Sequence, residues 1–190
     1  MARNNEKFIM TQENNNYAEG MLKGRMAETL VEELLRKCGN KVYRFGYEAI
    51  LQNLTQLKEG FDRHSEVGEQ IRAIPDLVVV DKDGNTDLVE VKFRWSPTLH
   101  EKDFDRLERI KNYWGSKVIF VNCSEKPYFR ITVSPYIENG KLNATPLKEM
   151  TTWNIDPIAY DEFEVITYKY LSPTLLPETR KSLSVSNINT

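Results

Sequence analysis

At 190 residues, with 40% hydrophobic and 28% charged side chains, the sequence has the size and balance of one globular domain with its own core, which excludes disordered and fibrous classes. No apolar run approaches the roughly 20 residues needed to cross a bilayer, and the polar opening MARNNEKFIMTQENNN lacks the hydrophobic stretch of a secretory signal, so the expected address is the cytoplasm with no membrane partner. The net charge of -2 argues against a nucleic-acid partner, yet it hides a polarity: nine basic and five acidic residues lie between Lys92 and Ile131, against four basic and ten acidic between Glu48 and Val91.

One of these segments suits phosphates and the other a cation. Two solvated faces of opposite sign are the plainer alternative. Cys38 and Cys123 belong to no CxxC or Cys/His cluster and are expected as reduced thiols outside any zinc site or disulfide.

Residues 1–17, rich in Asn and Glu and without a period, read as a mobile arm preceding a single domain over 18–171. From Ala18, Met21, Leu22, Met26, Leu30, Val31, Leu34 and Leu35 recur at helical spacing, and Gly39 supplies the stop. Glu28 lies at the edge of that apolar stripe. Lys41 to Tyr47 alternates as a strand, Glu48 to Lys58 returns to helical spacing, and Glu59 to Arg72 is polar and irregular. The whole of 48–72 reads as an insertion covering one end of a sheet.

Leu77 to Val80 is a β-branched run, Asp83-Gly84-Asn85 is turn chemistry, and Leu88 to Phe93 is a second strand, which together make a hairpin. Because successive strand side chains alternate, Glu90 and Lys92 share one face with Arg94, while Val89, Val91 and Phe93 take the other. Pairing about the turn brings Asp76 level with the segment from Glu90 to Lys92. A helix follows from about Glu101 to Trp114, ended by Gly115, and Lys117 to Cys123 is a buried strand. Strands around Tyr128 to Val133, a hairpin at Asn139-Gly140, a segment Tyr160 to Leu171 that favours helix over strand, and a tail over 172–190 complete the chain.

Two carboxylates and an ammonium on one sheet edge are costly in a merely structural strand, and a divalent cation changes that balance. Asp76 and Glu90 offer the hard oxygen ligands that Mg2+ prefers, and Lys92 is suited to orient a water or offset charge on phosphorus. An Asp followed at hairpin distance by (D/E)xK arises by chance on the order of once per chain, and a Pro immediately before the Asp cuts that roughly twentyfold. Pro75 stands there.

Pro75-Asp76, then Glu90-Val91-Lys92, with Glu28 on the preceding helix, resembles the signature of the PD-(D/E)XK nucleases, a superfamily of restriction endonucleases, Holliday-junction resolvases and recombination exonucleases. The resemblance spans about Ala18 to Cys123 and implies an α/β fold, the restriction endonuclease-like αβββαβ core with a mixed central sheet flanked by helices, here with extra C-terminal strands. It further implies that Asp76, Glu90 and the backbone carbonyl of Val91 bind Mg2+ or Mn2+, that Lys92 serves the nucleophile, that Glu28 supports the site, and that DNA is the substrate. Some branches add a QxxxY motif on the second core helix. Here Arg109 and Tyr113 hold that spacing with Arg in place of Gln, which favours an endonuclease over an exonuclease.

Arg94 and Arg109 are candidate phosphate contacts, each also readable as an ordinary surface charge. His64 and His100 sit in loop-like stretches and enter no mechanism, and Trp95 and Tyr113 read as packing. A homodimer is expected, since a single-site nuclease cuts two strands by pairing subunits. The rival expectation is a catalytically silent nuclease-fold module that binds DNA or assembles with partners. Completeness of the Glu28, Asp76, Glu90 and Lys92 set distinguishes the two.

Overall fold

The computed structural model describes residues 2–46, 62, 65–95 and 101–172, side chains of 2–16 and of 101 excepted. Helix α1 (Ala2–Lys37) buries Ala27, Val31, Leu34 and Leu35, spaced to lie on one face, and stops where Gly39 takes a φ of 91°. Gly39 N–H donates to the Arg36 carbonyl and Asn40 N–H to the Leu35 carbonyl, a closing pair that needs the left-handed turn only glycine adopts without strain. Helical backbone begins well before Ala18, where the sequence reading placed an irregular arm. No Pro or Gly interrupts the chain before Gly20, so polarity alone did not end the helix.

Strand β1 (Lys41–Arg44) follows. The helix expected over 48–58 lies outside the described residues. The irregular stretch expected up to Arg72 is instead helical at its end: α2 (Glu66–Arg72) is capped by the Ser65 hydroxyl, which accepts from Gly68 N–H at 3.1 Å. Its content is polar apart from Val67 and Ile71, so it shows little apolar period, and the cap rather than periodicity defines it.

Strands β2 (Leu77–Val80) and β3 (Thr86–Arg94) form the expected hairpin. Its turn is tied by Asp81, whose Oδ1 accepts from the N–H groups of Asp83 and Asn85, and by Gly84 at a φ of 86°. Helix α3 (Glu101–Trp114) then crosses to β4 (Lys117–Asn122), which runs parallel to β3. Strands β5 (Phe129–Thr132) and β8 (Thr145–Pro146) bring the sheet, among the described residues, to six strands in the order β1-β2-β3-β4-β5-β8. Strands β6 (Ile137–Glu138) and β7 (Lys141–Leu142) make a separate hairpin turned by Asn139 and Gly140, both at positive φ.

Helix α4 (Pro157–Leu171) resolves the ambiguous segment as helix. Asp156 caps it, accepting from Ala159 N–H at 2.8 Å, and Pro157 occupies its first turn. Helices α1 and α4 cover one face of the sheet, burying Val79, Val89, Val91, Ile119 and Val121. Helix α3 covers the other, where Leu107 and Ile110 pack on Val118, Phe120 and Tyr136. Among the described residues no helix is long and apolar enough to cross a membrane.

Candidate active site

Leu77 pairs with Val89, so Asp76, one residue before β2, stands opposite Glu90. Its carbonyl accepts from Phe45 N–H at 2.9 Å and Gly46 N–H at 3.1 Å, and its carboxylate Oδ2 accepts from Val91 N–H at 2.7 Å. Backbone and side chain are thereby both fixed. A Cβ at Gly46 would lie 3.8 Å from Asp76 Oδ1, so a longer side chain there would crowd the carboxylate.

Glu90 and Lys92 pair across the parallel ladder with Val118 and Phe120, which puts both on the α3 face. The Lys92 ammonium donates to Glu90 Oε1, and the two side chains are only 14% and 9% exposed. Among the described residues, Glu90 Oε2 is buried with no hydrogen-bond partner. Leaving such an oxygen unsatisfied costs about 1–3 kcal/mol.

A cleft of about 290 Å³ opens over these groups, and Glu28 of α1 lines it together with Asp76, Glu90, Val91 and Lys92. Burial first, and the negative charge of Glu90 second, push the Asp76 carboxyl up to about 8; Lys92 pulls it down, Glu28 pushes it up again, and the Val91 N–H lowers it. The charge of Glu28 therefore reaches Asp76, and all four residues of the expected set face one space.

Among the described residues no three His, Cys, Asp or Glu side chains are grouped closely enough to hold a cation by themselves. The donor chemistry nevertheless fits a hard divalent ion of the Mg2+ type, which takes one or two carboxylates and completes its octahedron with water and substrate oxygens. The unpartnered Glu90 Oε2 and the like-charge crowding of Asp76 and Glu90 are both relieved by a positive charge between them.

The two candidate phosphate contacts are both held by carboxylates. Arg94 Nη2 meets Asp103 Oδ1 at 2.5 Å, and Arg109 lies 3.6 Å from Glu69. Arg109 does line a second cleft of about 330 Å³ that shares Glu90 with the first. Trp95 packs edge-on against Phe93 beneath the Lys23 ammonium, and Tyr113 is half-buried. His64 and His100 lie outside the described residues.

Sequence reading missed the arginines around the first cleft: Arg25 of α1, Arg44 of β1, Arg72 of α2 and Arg106 of α3. Among the described residues lining the cleft they make, with Lys92, five basic side chains against the three acidic ones of Glu28, Asp76 and Glu90, and Arg44 is paired with the buried Glu32 of α1 at 2.8 Å. Four elements contribute one arginine each, so no linear motif joins them. Only Arg106 was open to detection, four residues after Lys102 and three before Arg109 on one helix face.

The chain order around this cleft, α1-β1-β2-β3-α3-β4 with α2 inserted, is the αβββαβ order, antiparallel through β3 and parallel into β4. The fold is restriction endonuclease-like. No family model matches the chain, and no curated protein matches it. Among solved structures, it is similar to Hjc from Archaeoglobus fulgidus, a Holliday junction resolvase from an archaeal hyperthermophile, at 15% identity over 72% of this chain and 97% of that one, with a TM-score of 0.36. Figures this low transfer no role to any residue, and the site stands on its own geometry.

Proposed function

We propose that this chain is a Mg2+- or Mn2+-dependent deoxyribonuclease, acting as an endonuclease on DNA phosphodiester bonds. The observation that supports it most is the convergence of Asp76, Glu90, Lys92 and Glu28 on one cleft, with a buried carboxylate oxygen of Glu90 left unpartnered there. The basic surround of that cleft answers the objection from net charge, because its described lining carries more basic than acidic side chains although the chain as a whole does not.

In this reading Asp76, Glu90 and the Val91 carbonyl hold the cation. The bound cation supplies Lewis-acid stabilisation of the negative charge that builds on phosphorus and makes water more acidic. Lys92 gives up part of its hold on Glu90 and turns its ammonium toward the attacking water, orienting it and offsetting the developing charge. Glu28 holds the outer edge of the water network. The Phe45 and Gly46 amides keep Asp76 from moving when its charge state changes, so the site is preorganised rather than assembled by substrate. A cytoplasmic address and a two-fold dimer go with this reading.

The test is cleavage of duplex, branched and single-stranded DNA with Mg2+ or Mn2+, beside calorimetric metal titration. Wild type should cut at least one substrate, and Asp76→Asn and Lys92→Ala should cut none while remaining folded. A wild-type chain that binds neither metal with or without DNA, and cuts nothing, would leave the silent-module reading in its place.

A further inference from the structure

Helix α3 does more than bridge β3 and β4. Lys102, Arg106 and Arg109 recur at i, i+4 and i+7, which at 3.6 residues per turn confines them to about 60° of arc beside the buried Leu107 and Ile110. All three line the cleft that contains Glu90, and Arg72, at the end of α2, stands on the same cleft. Arg106 also lines the carboxylate cleft and a third, open groove of about 660 Å³ that runs along α1 past Tyr17, Gly20 and Gly24. It therefore stands where the three openings meet.

We propose that the Lys102, Arg106 and Arg109 face of α3 is the track that holds the DNA backbone next to the bond being cut, with Arg106 on the phosphate beside the scissile one. The proposal rests on the nuclease reading and specifies how its substrate lies. Seven residues of helix rise about 10.5 Å, and one DNA strand advances about 3.4 Å per phosphate along its axis, so the stripe is as long as about three phosphate-to-phosphate steps. Its proximity to Glu90 brings that run of phosphates against the carboxylates rather than across the far face of the protein.

Local pairing grades the three contacts. Asp103, next to Lys102 in the chain, is occupied by Arg94 at 2.5 Å, whereas Arg109 is held by Glu69 at the looser distance of 3.6 Å. Lys102 and Arg106 are solvent-exposed and meet the backbone directly. Arg109 must exchange Glu69 for phosphate, so Glu69 acts as a competitor for the third position, and neutralising it frees a cation for DNA. These are charge contacts without base readout, and they make the track indifferent to sequence.

The experiment reads binding separately from cutting. Fluorescence anisotropy of a labelled 20-base-pair duplex is followed without divalent metal across a salt series, for wild type, the triple variant Lys102→Ala/Arg106→Ala/Arg109→Ala, Glu69→Gln, and a control, Lys141→Ala/Lys148→Ala, on exposed positions far along the chain. Each phosphate contact contributes about 0.9 to the slope of log affinity against log salt, so the triple variant should flatten the slope by about 3 and bind on the order of a hundredfold more weakly at 0.15 M salt. Glu69→Gln should bind several-fold more tightly, and the control should match wild type. A triple variant that keeps wild-type affinity and slope overturns the track even if cutting persists. Wild type that cuts nothing while the triple variant still loses slope sinks the nuclease reading and leaves α3 as the DNA-binding face. Wild type that binds no duplex at low salt overturns the track, and the nuclease reading falls with it only when the same chain also cuts none of the duplex, branched and single-stranded substrates.

Discussion

Replacing Asp76 with asparagine should make the metal-free protein more stable, and by an amount that depends on pH. The Asp76 carboxyl is raised from an ordinary 3.8 to about 8 by burial and by Glu90, so the folded chain binds that proton more tightly than the unfolded chain does. Stability therefore falls as pH climbs from about 4 to about 8, and is level above that range once the group is ionised in both states. At pH 7 the interval above the ordinary value is about three units, worth about 4 kcal/mol at 1.36 kcal/mol per unit, and sharing of charge with Glu90 brings it to on the order of 2–4 kcal/mol. Asparagine cannot ionise, and its amide oxygen can still accept from Val91 N–H, so the substitution should recover most of that amount. At 2–4 °C per kcal/mol for a chain of this size, Tm of Asp76→Asn should exceed wild type by about 4–16 °C at pH 7 and by much less at pH 5. Thermal melts from pH 4.5 to 9 measure the difference, and added Mg2+ should shrink it by stabilising wild type alone. Equal melting temperatures at every pH, or a less stable variant at pH 7, would refute the claim that these carboxylates are held together against their own repulsion.

Four further outcomes are expected. Lys92→Ala strands the Glu90 carboxylate without its buried partner, so in contrast to Asp76→Asn it should lower metal-free stability by about 3 kcal/mol, read by urea unfolding at pH 7. Asn40→Ala should cost about 2–3 kcal/mol by the same measurement without touching cleavage, because the Asn40 amide donates to the Leu35 and Asn154 carbonyls and accepts from Asn154 N–H, joining the end of α1 to the start of α4. Cys123 is buried and its thiol is pushed up to about 11 by burial, so a thiol reagent at pH 8 should modify it only at the rate of unfolding, measured by mass shift in increasing denaturant. Sedimentation at micromolar concentration should give a dimer, alone or with DNA; monomer under both conditions rejects the paired-subunit expectation.

The hairpin was legible because three local signals agreed: the Val78-Val79-Val80 run, the Asp83-Gly84-Asn85 turn and the alternation through Phe93. Once its register is known, the encounter of Asp76 with Glu90 follows from the pleat alone. The end of α1 was equally readable from Gly39. The start of α1 and the existence of α2 were not, since both segments are polar and their helical state shows little apolar period. The arginines around the cleft were hidden for a different reason: Arg25, Arg44, Arg72 and Arg106 meet only through the tertiary path of four elements, and each alone has the look of an ordinary surface charge. Arg94 shows the converse. Its face was correctly derived, but Asp103, nine residues on, claims it first.

Among the described residues, the two ends of the sheet bear on how copies of this chain can meet. At one end β8 is two residues long and includes Pro146, which has no N–H to offer a further strand. At the other, β1 presents the exposed charges of Lys41 and Arg44, and Arg44 is turned back to the buried Glu32 of α1 at 2.8 Å. Both margins thus discourage edge-to-edge growth, the route by which open sheets run on into fibres. Any pairing of two copies is thereby steered toward helices or loops, and an association through those surfaces closes on itself instead of running on from sheet to sheet.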